Sequence, residues 1–278
     1  MDTLRVLYIA EIVGKAGVFC VKTLLDALRK ELGASLVVAN GDGATGGFGI
    51  GRAHAVYLHK LGVDVLTSGE CIYYKKDMVS AIGSAPYILR AANYPQGNPG
   101  RGWLVTEAAG RKVAVVSLLG ISGFTKVHLG NPFHLMPRLA ERLRSEAPTV
   151  IVDFHACTTA EKGSLFHQLD GQVSAVIGSH SKVASADERI LPGGTAVITD
   201  AGRTGSSLSV GGLEPEIEIR KLLTQIHEKS ATAWQDLELQ GVCVDIAPDG
   251  RAVYIERIRR KCVEVPHDRD GGSQEDSE

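Results

Sequence analysis

Five short apolar runs each stop on a residue that can bind a metal, and this constrains the fold more than any other feature of the chain. Residues 4–10 run into Glu11, 35–40 into Gly41-Asp42, and 63–68 into Gly69-Glu70-Cys71. Further on, 149–154 lead to His155 and 173–179 lead to His180. Runs this apolar read as strands of a parallel sheet covered on both faces, and open α/β sheets place their ligand sites at the carboxyl ends of such strands. Taken singly, each histidine reads as an ordinary hydrogen-bonded core or rim residue. Two Glu, one Asp and two His delivered to one edge instead suit zinc, manganese or iron.

Between the runs lie amphipathic stretches. Val21, Leu24, Leu25, Leu28 and Leu32 form a one-sided stripe that predicts a helix over 17–31, and a second helix is expected over 51–61. Such alternation predicts a layered α/β domain with right-handed crossovers. Strands are expected to continue at 111–118, 149–153, 174–177, 189–191 and 195–199. The segment 91–102, dense in Gly, Pro and Asn, reads as a functional loop. A helix over 216–228 then precedes a hairpin of strands 239–246 and 252–259 turning at Pro248-Asp-Gly250. The expected organisation is one domain over 1–265 and a disordered acidic tail over 266–278, the last eleven residues of which hold nothing apolar.

With 44% hydrophobic and 22% charged residues the chain reads as globular, and a formal net charge of -2 leaves nucleic-acid binding unsupported. A basic leader and an apolar stretch near 20 residues are both missing, so a cytoplasmic protein with no membrane association is expected. Cys20, Cys71, Cys157, Cys243 and Cys262 are scattered without a CxxC pair and read as free thiols. Gly41-Asp-Gly43-Ala-Thr-Gly46 matches a dinucleotide fingerprint in letters, with Asp64 as a ribose-binding acid. The glycines run on to Gly51, however, which delays the next helix and leaves no helix N-terminus for a pyrophosphate.

Glu11-Ile-Val-Gly14, Asn40-Gly-Asp-Gly-Ala-Thr-Gly-Gly-Phe-Gly49, Asn93-Tyr-Pro95, Asp153-Phe-His-Ala156, Gly178-Ser-His-Ser-Lys182 and residues 186–196 resemble the YmdB-type branch of the calcineurin-like metallophosphoesterases. The resemblance covers roughly residues 4 to 260. It implies a sandwich of two sheets flanked by helices, a binuclear metal centre at the strand ends, a homo-oligomer, and hydrolysis of phosphodiesters, including cyclic nucleotides. Four motifs depart from the family's. Its Gly-Asp-Ile-Val-Gly begins here with Ala10-Glu11, its Gly-Glu-Asn is Gly41-Asp42-Gly43, its Gly-Asn-His is Gly69-Glu70-Cys71, and its Thr-His-Thr-His is Ser179-His180-Ser181-Lys182.

The losses compensate in charge. The family's ligand set sums to -2, and so do Glu11, Asp42, Glu70 and Lys182 together. A protonated lysine has no lone pair to give a metal. Lys182 is therefore expected at the position of one ion, against Glu11 or Asp42, leaving at most one ion on Asp42, Glu70, His155 and His180. Expectations for the cofactor thus span one or two divalent ions, manganese, iron or zinc, and a metal-free site. Lys182 and Cys71 are the catalytic candidates, the first to neutralise phosphoryl charge and the second to protonate a leaving oxygen or bind metal as thiolate. Arg90 and Asn93, beside the long loop, are candidates for holding phosphate. The expected activity is that of a divergent or weakened metal-dependent phosphodiesterase acting on a phosphodiester or nucleotide; the alternative is a non-catalytic protein of the same fold serving as a ligand sensor or assembly partner.

Overall fold

The computed structural model describes residues 3–125 and 127–263. Its first half runs β1 (Leu4–Ile9), β2 (Glu11–Ile12), α1 (Gly14–Leu32), β3 (Leu36–Asn40), α2 (Arg52–Lys60), β4 (Val65–Thr67), α3 (Lys76–Ala81), a 3₁₀ turn (Ile82–Ser84), β5 (Trp103–Ala108) and β6 (Arg111–Leu119). There follow α4 (Pro132–Glu146), β7 (Thr149–His155), α5 (Thr159–Leu169), β8 (Ala175–Ser179), β9 (Arg189–Ile190) and β10 (Ala196–Ile198). The chain closes with β11 (Arg203–Ser206), α6 (Pro215–Thr224), β12 (Leu237–Ile246) and β13 (Ala252–Lys261). The tail expected to be disordered lies outside the described residues.

Two sheets form, ordered β2-β11-β12-β1-β3-β4, with β13 on β12, and β5-β6-β7-β8-β10-β9. Strand β1 shows why its sequence is apolar apart from Arg5, which pairs with Asp245 at 2.6 Å. Val6 and Tyr8 meet Val115, Ile151 and Ile177 of the second sheet, while Leu7 and Ile9 face the side covered by Val21, Leu25 and Leu28 of α1. Side chains alternate across a strand, so a strand buried on both faces leaves few positions for polar residues. Helices α4 and α5 cover the far face of the second sheet through Met136, Leu139, Leu143, Leu165, Phe166 and Leu169. The result is four layers, helix, sheet, sheet, helix. Full burial of each Val, Leu or Ile contributes roughly 1.5–3 kcal/mol, which makes the paired sheets a rigid platform for whatever their ends carry.

The first sheet's β1, β3 and β4 are parallel, as are β6, β7, β8 and β10 of the second. Their carboxyl ends meet at one rim of the sandwich. Helix α2 starts at Arg52, six positions after Gly46, and Asp64 accepts from Val37 N (2.7 Å) and pairs with Arg29. Both findings remove the dinucleotide reading. The hairpin at Pro248-Asp-Gly250 forms, with Gly250 at φ 89. Helix α6 stops at Thr224 rather than 228, because Gln225 turns left-handed with φ 56. Elements that the apolar pattern did not disclose are β2, α3, α4, α5, β5 and β11.

Candidate metal centre

Each of the five expected residues reaches the common rim from a different strand end. Glu11 lies in β2, Asp42 follows β3, Glu70 follows β4, His155 closes β7 and His180 follows β8. Around His155 Nε2 stand Glu70 Oε2 at 2.9 Å, His180 Nδ1 at 3.0 Å and Asp42 Oδ2 at 3.9 Å. Glu70, His155 and His180 present ligand atoms that all lie within 4.8 Å of one another, as do those of Asp42, Glu70 and Cys71. Gly69 makes room for the ring: a Cβ there would sit 2.4 Å from His155 Nε2.

Lys182 Nζ lies 3.1 Å from Glu11 Oε1, the contact expected from the charge count. Glu11 and Lys182 form one side of the site and the imidazoles with Glu70 the other, with Asp42 between them in the field of both. Two of the five non-glycine residues with positive φ among the described residues lie here. His180 and Lys182 hold φ angles of 99 and 60, which side-chain-bearing residues rarely adopt.

Burial dominates the titration of the cluster. It pushes Asp42 up to about 7, with His155 opposing and the Glu70 and Glu11 charges adding to the rise. Burial likewise raises Glu11 against the pull of Lys182. Burial also pushes at Glu70, but the hydrogen bond and charge of His155 outweigh it and hold that carboxyl at about 2. His155 is drawn down by burial and lifted further by Glu70, to about 9. His180 falls to about 4 through burial and the neighbouring His155 charge. Cys71, buried among carboxylates, is pushed far above the ordinary thiol range, so its sulfur keeps its proton.

The residues fit a divalent cation on two grounds. Glu11 Oε2 and Asp42 Oδ1 are buried carboxylate oxygens without a hydrogen-bond partner among the described residues, whereas such atoms almost always find one. In addition, His155 is oriented as metal ligands are. Ser179 Oγ donates to Asp153 Oδ1 (2.7 Å), so it accepts from His155 Nδ1 at 2.9 Å and leaves Nε2 facing the cluster.

Sequence reasoning overlooked Asp153 and the residues that hold the strained loop. Asp153 is fully buried and also accepts from Asn40 Nδ2 (2.9 Å) and Thr67 Oγ1 (2.5 Å). A carboxylate two positions before His155, on the same face of a strand, was the available signal. The 180–182 loop is fixed by Ser181 N donating to Asp200 Oδ2 (2.8 Å), by the buried Lys162–Asp200 pair (3.0 Å), and by Arg203 Nη1 donating to Lys182 O (2.8 Å). Arg90 and Asn93 make their contacts elsewhere. Arg90 Nη1 donates to Ala91 O, and Asn93 spends its amide on Leu119 N, Leu119 O and Gly130 O. Asn93 thus braces backbone where phosphate binding had been expected, because neither end of its amide remains available.

Two face-packed sheets between helices, with carboxylates and imidazoles gathered where parallel strands end, define a calcineurin-like metallophosphoesterase fold. A 5'-nucleotidase from Candida albicans SC5314 shares this fold, with a TM-score of 0.56 and 12% identity over 92% of this chain and 50% of that one. Within the class, the chain belongs to the YmdB-like protein family, whose model matches residues 7–258. It is 35% identical to a 2',3'-cyclic-nucleotide 2'-phosphodiesterase of Bacillus subtilis (strain 168), over 92% of this chain and 96% of the relative. A crystal structure of a novel phosphatase from Mycoplasma pneumoniae superposes with a TM-score of 0.88 at 31% identity, covering 94% of each chain. A hypothetical protein from Thermus thermophilus does so with 0.86 at 31%, covering 93% of this chain and 99% of that one. The family implies a divalent metal, and the rim supplies candidate ligands for it. Among the described residues no helix is long and apolar enough to cross a membrane.

Proposed function

We propose that the chain is a metal-dependent phosphodiesterase acting on nucleotides such as cyclic nucleotides, with one divalent ion and one lysine in place of two ions. The observation that carries this reading is the 3.1 Å contact of Lys182 with Glu11 beside the independent group of Glu70, His155 and His180. Asp42, Glu70, His155 and His180 would hold the ion, and a cation there supplies Lewis acidity toward a phosphoryl oxygen. Lys182, kept charged by Glu11, contributes a fixed positive charge toward the same phosphoryl group. Cys71, whose sulfur lies within 4.8 Å of carboxylate oxygens of Asp42 and Glu70, stands in the site as a protonated thiol. Ser179 and Asp153 keep His155 in one orientation, so that phosphate meets a preformed site rather than a mobile ring.

Hydrolysis of 2',3'-cyclic AMP in manganese tests the reading. The unmodified protein should turn the substrate over, His155→Ala should abolish turnover, and Lys182→Ala should lower it by about 100-fold or more, as removal of one charge-stabilising group does elsewhere. Equal rates in all three would refute the phosphodiesterase reading. Tight nucleotide binding without turnover would instead favour the ligand-sensor alternative.

A further inference from the structure

Beside Glu70 opens a cavity of about 170 Å³ lined by Tyr74, Gly123, Phe124, Thr125 and Val127. This is roughly half of the 300 Å³ at which pockets for drug-sized ligands begin. It holds one ring system, not a whole nucleotide. Two of its walls are aromatic, and Tyr74 is 50% exposed. Phe124 lies against the imidazoles, its ring centre 5.1 Å from His180 edge-on and 6.1 Å from His155 near-parallel. The cavity is therefore continuous with the candidate phosphate site through Glu70 and Phe124.

The loop carrying Phe124 is built rather than loose. Glu161, itself buried, accepts from Ile121 N (2.7 Å) and Ser122 N, which anchors the loop's root to α5. Gly123 then turns with φ 85 in a place where a Cβ would lie 2.8 Å from Cys157 Sγ. A carboxylate and an obligatory glycine fix the ring over the histidines. Tyr74 is set from the other side by its N–H donating to Cys71 O (2.9 Å).

We propose that Phe124 and Tyr74 form a nucleobase platform, so that the site takes a small nucleotide by its base as well as its phosphate. This rests on the phosphodiester reading above. Stacking on an aromatic face is tolerant of base identity, so purines and pyrimidines are both accommodated. Thr125 is a polar residue of the same lining.

Calorimetric titration of the manganese-loaded full chain with AMP and with ribose 5-phosphate tests the platform without reference to turnover. AMP should bind about tenfold or more tightly than ribose 5-phosphate. Tyr74→Ala should bring AMP close to the ribose 5-phosphate value with ribose 5-phosphate affinity unchanged, and Phe124→Ala should narrow the difference between the two ligands. Because Tyr74 is exposed, its variant is expected to fold even if Phe124→Ala does not. Equal affinity for the two ligands, or AMP binding untouched by Tyr74→Ala, overturns the platform and leaves the phosphodiester reading standing. Failure of both ligands to bind overturns both.

Discussion

Removing the ammonium of Lys162 probes how the strained loop at the site is held. Lys162 and Asp200 are 1% and 2% exposed and 3.0 Å apart, so Lys162→Met strands a carboxylate in the interior. Breaking a buried pair costs about 3–5 kcal/mol. Asp200 keeps two backbone donors, Ser181 N at 2.8 Å and Gly202 N at 2.9 Å, which places the loss at the lower end, about 3 kcal/mol. A chain of 278 residues unfolds with an entropy of about 0.6 kcal/mol/K, so the midpoint should fall by about 5 °C. Differential scanning calorimetry of the metal-free protein reads this directly. Asp200→Asn added to Lys162→Met removes the stranded charge and should recover part of the loss, which distinguishes an electrostatic penalty from lost packing. Lys162→Met also removes the contact of Lys162 Nζ with Ser181 Oγ (3.5 Å) and so loosens the loop that holds His180 and Lys182 at φ 99 and φ 60; metal affinity should drop together with stability. A midpoint within 1 °C of the unmodified protein, with unchanged metal affinity, would refute the reasoning.

Other consequences concern the cluster itself. His155 has a folded-state value of about 9 against 6.5 ordinarily. Its pairing with Glu70 should therefore contribute roughly 2–3 kcal/mol below pH 6.5 and lose that contribution as pH rises through 9; urea melts in chelator at pH 6.5 and 9.5 measure it. Manganese binding competes with that proton, so its affinity should instead rise with pH, by up to about tenfold per unit below 9, in titrations followed by calorimetry. Gly69→Ala puts a Cβ 2.4 Å from His155 Nε2 and should cost about tenfold or more in metal affinity while circular dichroism stays the same. Lys182→His combined with Glu70→Asn and Cys71→His restores a second set of donors and should raise bound manganese toward two ions per chain; a value unchanged from the unmodified protein would mean that the surrounding residues have changed as well.

Much of the architecture was legible because strands buried on both faces leave an unmistakable record. The runs preceding Glu11, Asp42, Glu70, His155 and His180 are strands ending at one rim because both faces of β1, β3, β4, β7 and β8 are largely buried, and a polar residue within them, such as Asp153, stays only where other polar groups satisfy it. Helices α4 and α5 went unread for different reasons. Pro137 interrupts α4 in sequence although Met136, Leu139, Ala140 and Leu143 keep helical spacing, and α5 announces itself only through Thr158 and Glu161, its capping pair. Asn93 was misjudged because a sequence shows a polar side chain near a loop but not the carbonyls at Leu119 and Gly130 that occupy it. Phe124 and Tyr74 were invisible for a related reason. They lie about fifty residues apart in the chain, and only the folding of two loops onto Glu70 brings them to one cavity.

Metal stoichiometry of the unmodified protein is the most direct test of a lysine standing in for one ion. Native mass spectrometry of manganese-loaded protein, with His155→Ala beside it, should show one ion per chain in the first and none in the second. Two ions per chain with Lys182 in place, or none in a folded protein that still hydrolyses 2',3'-cyclic AMP, would contradict it.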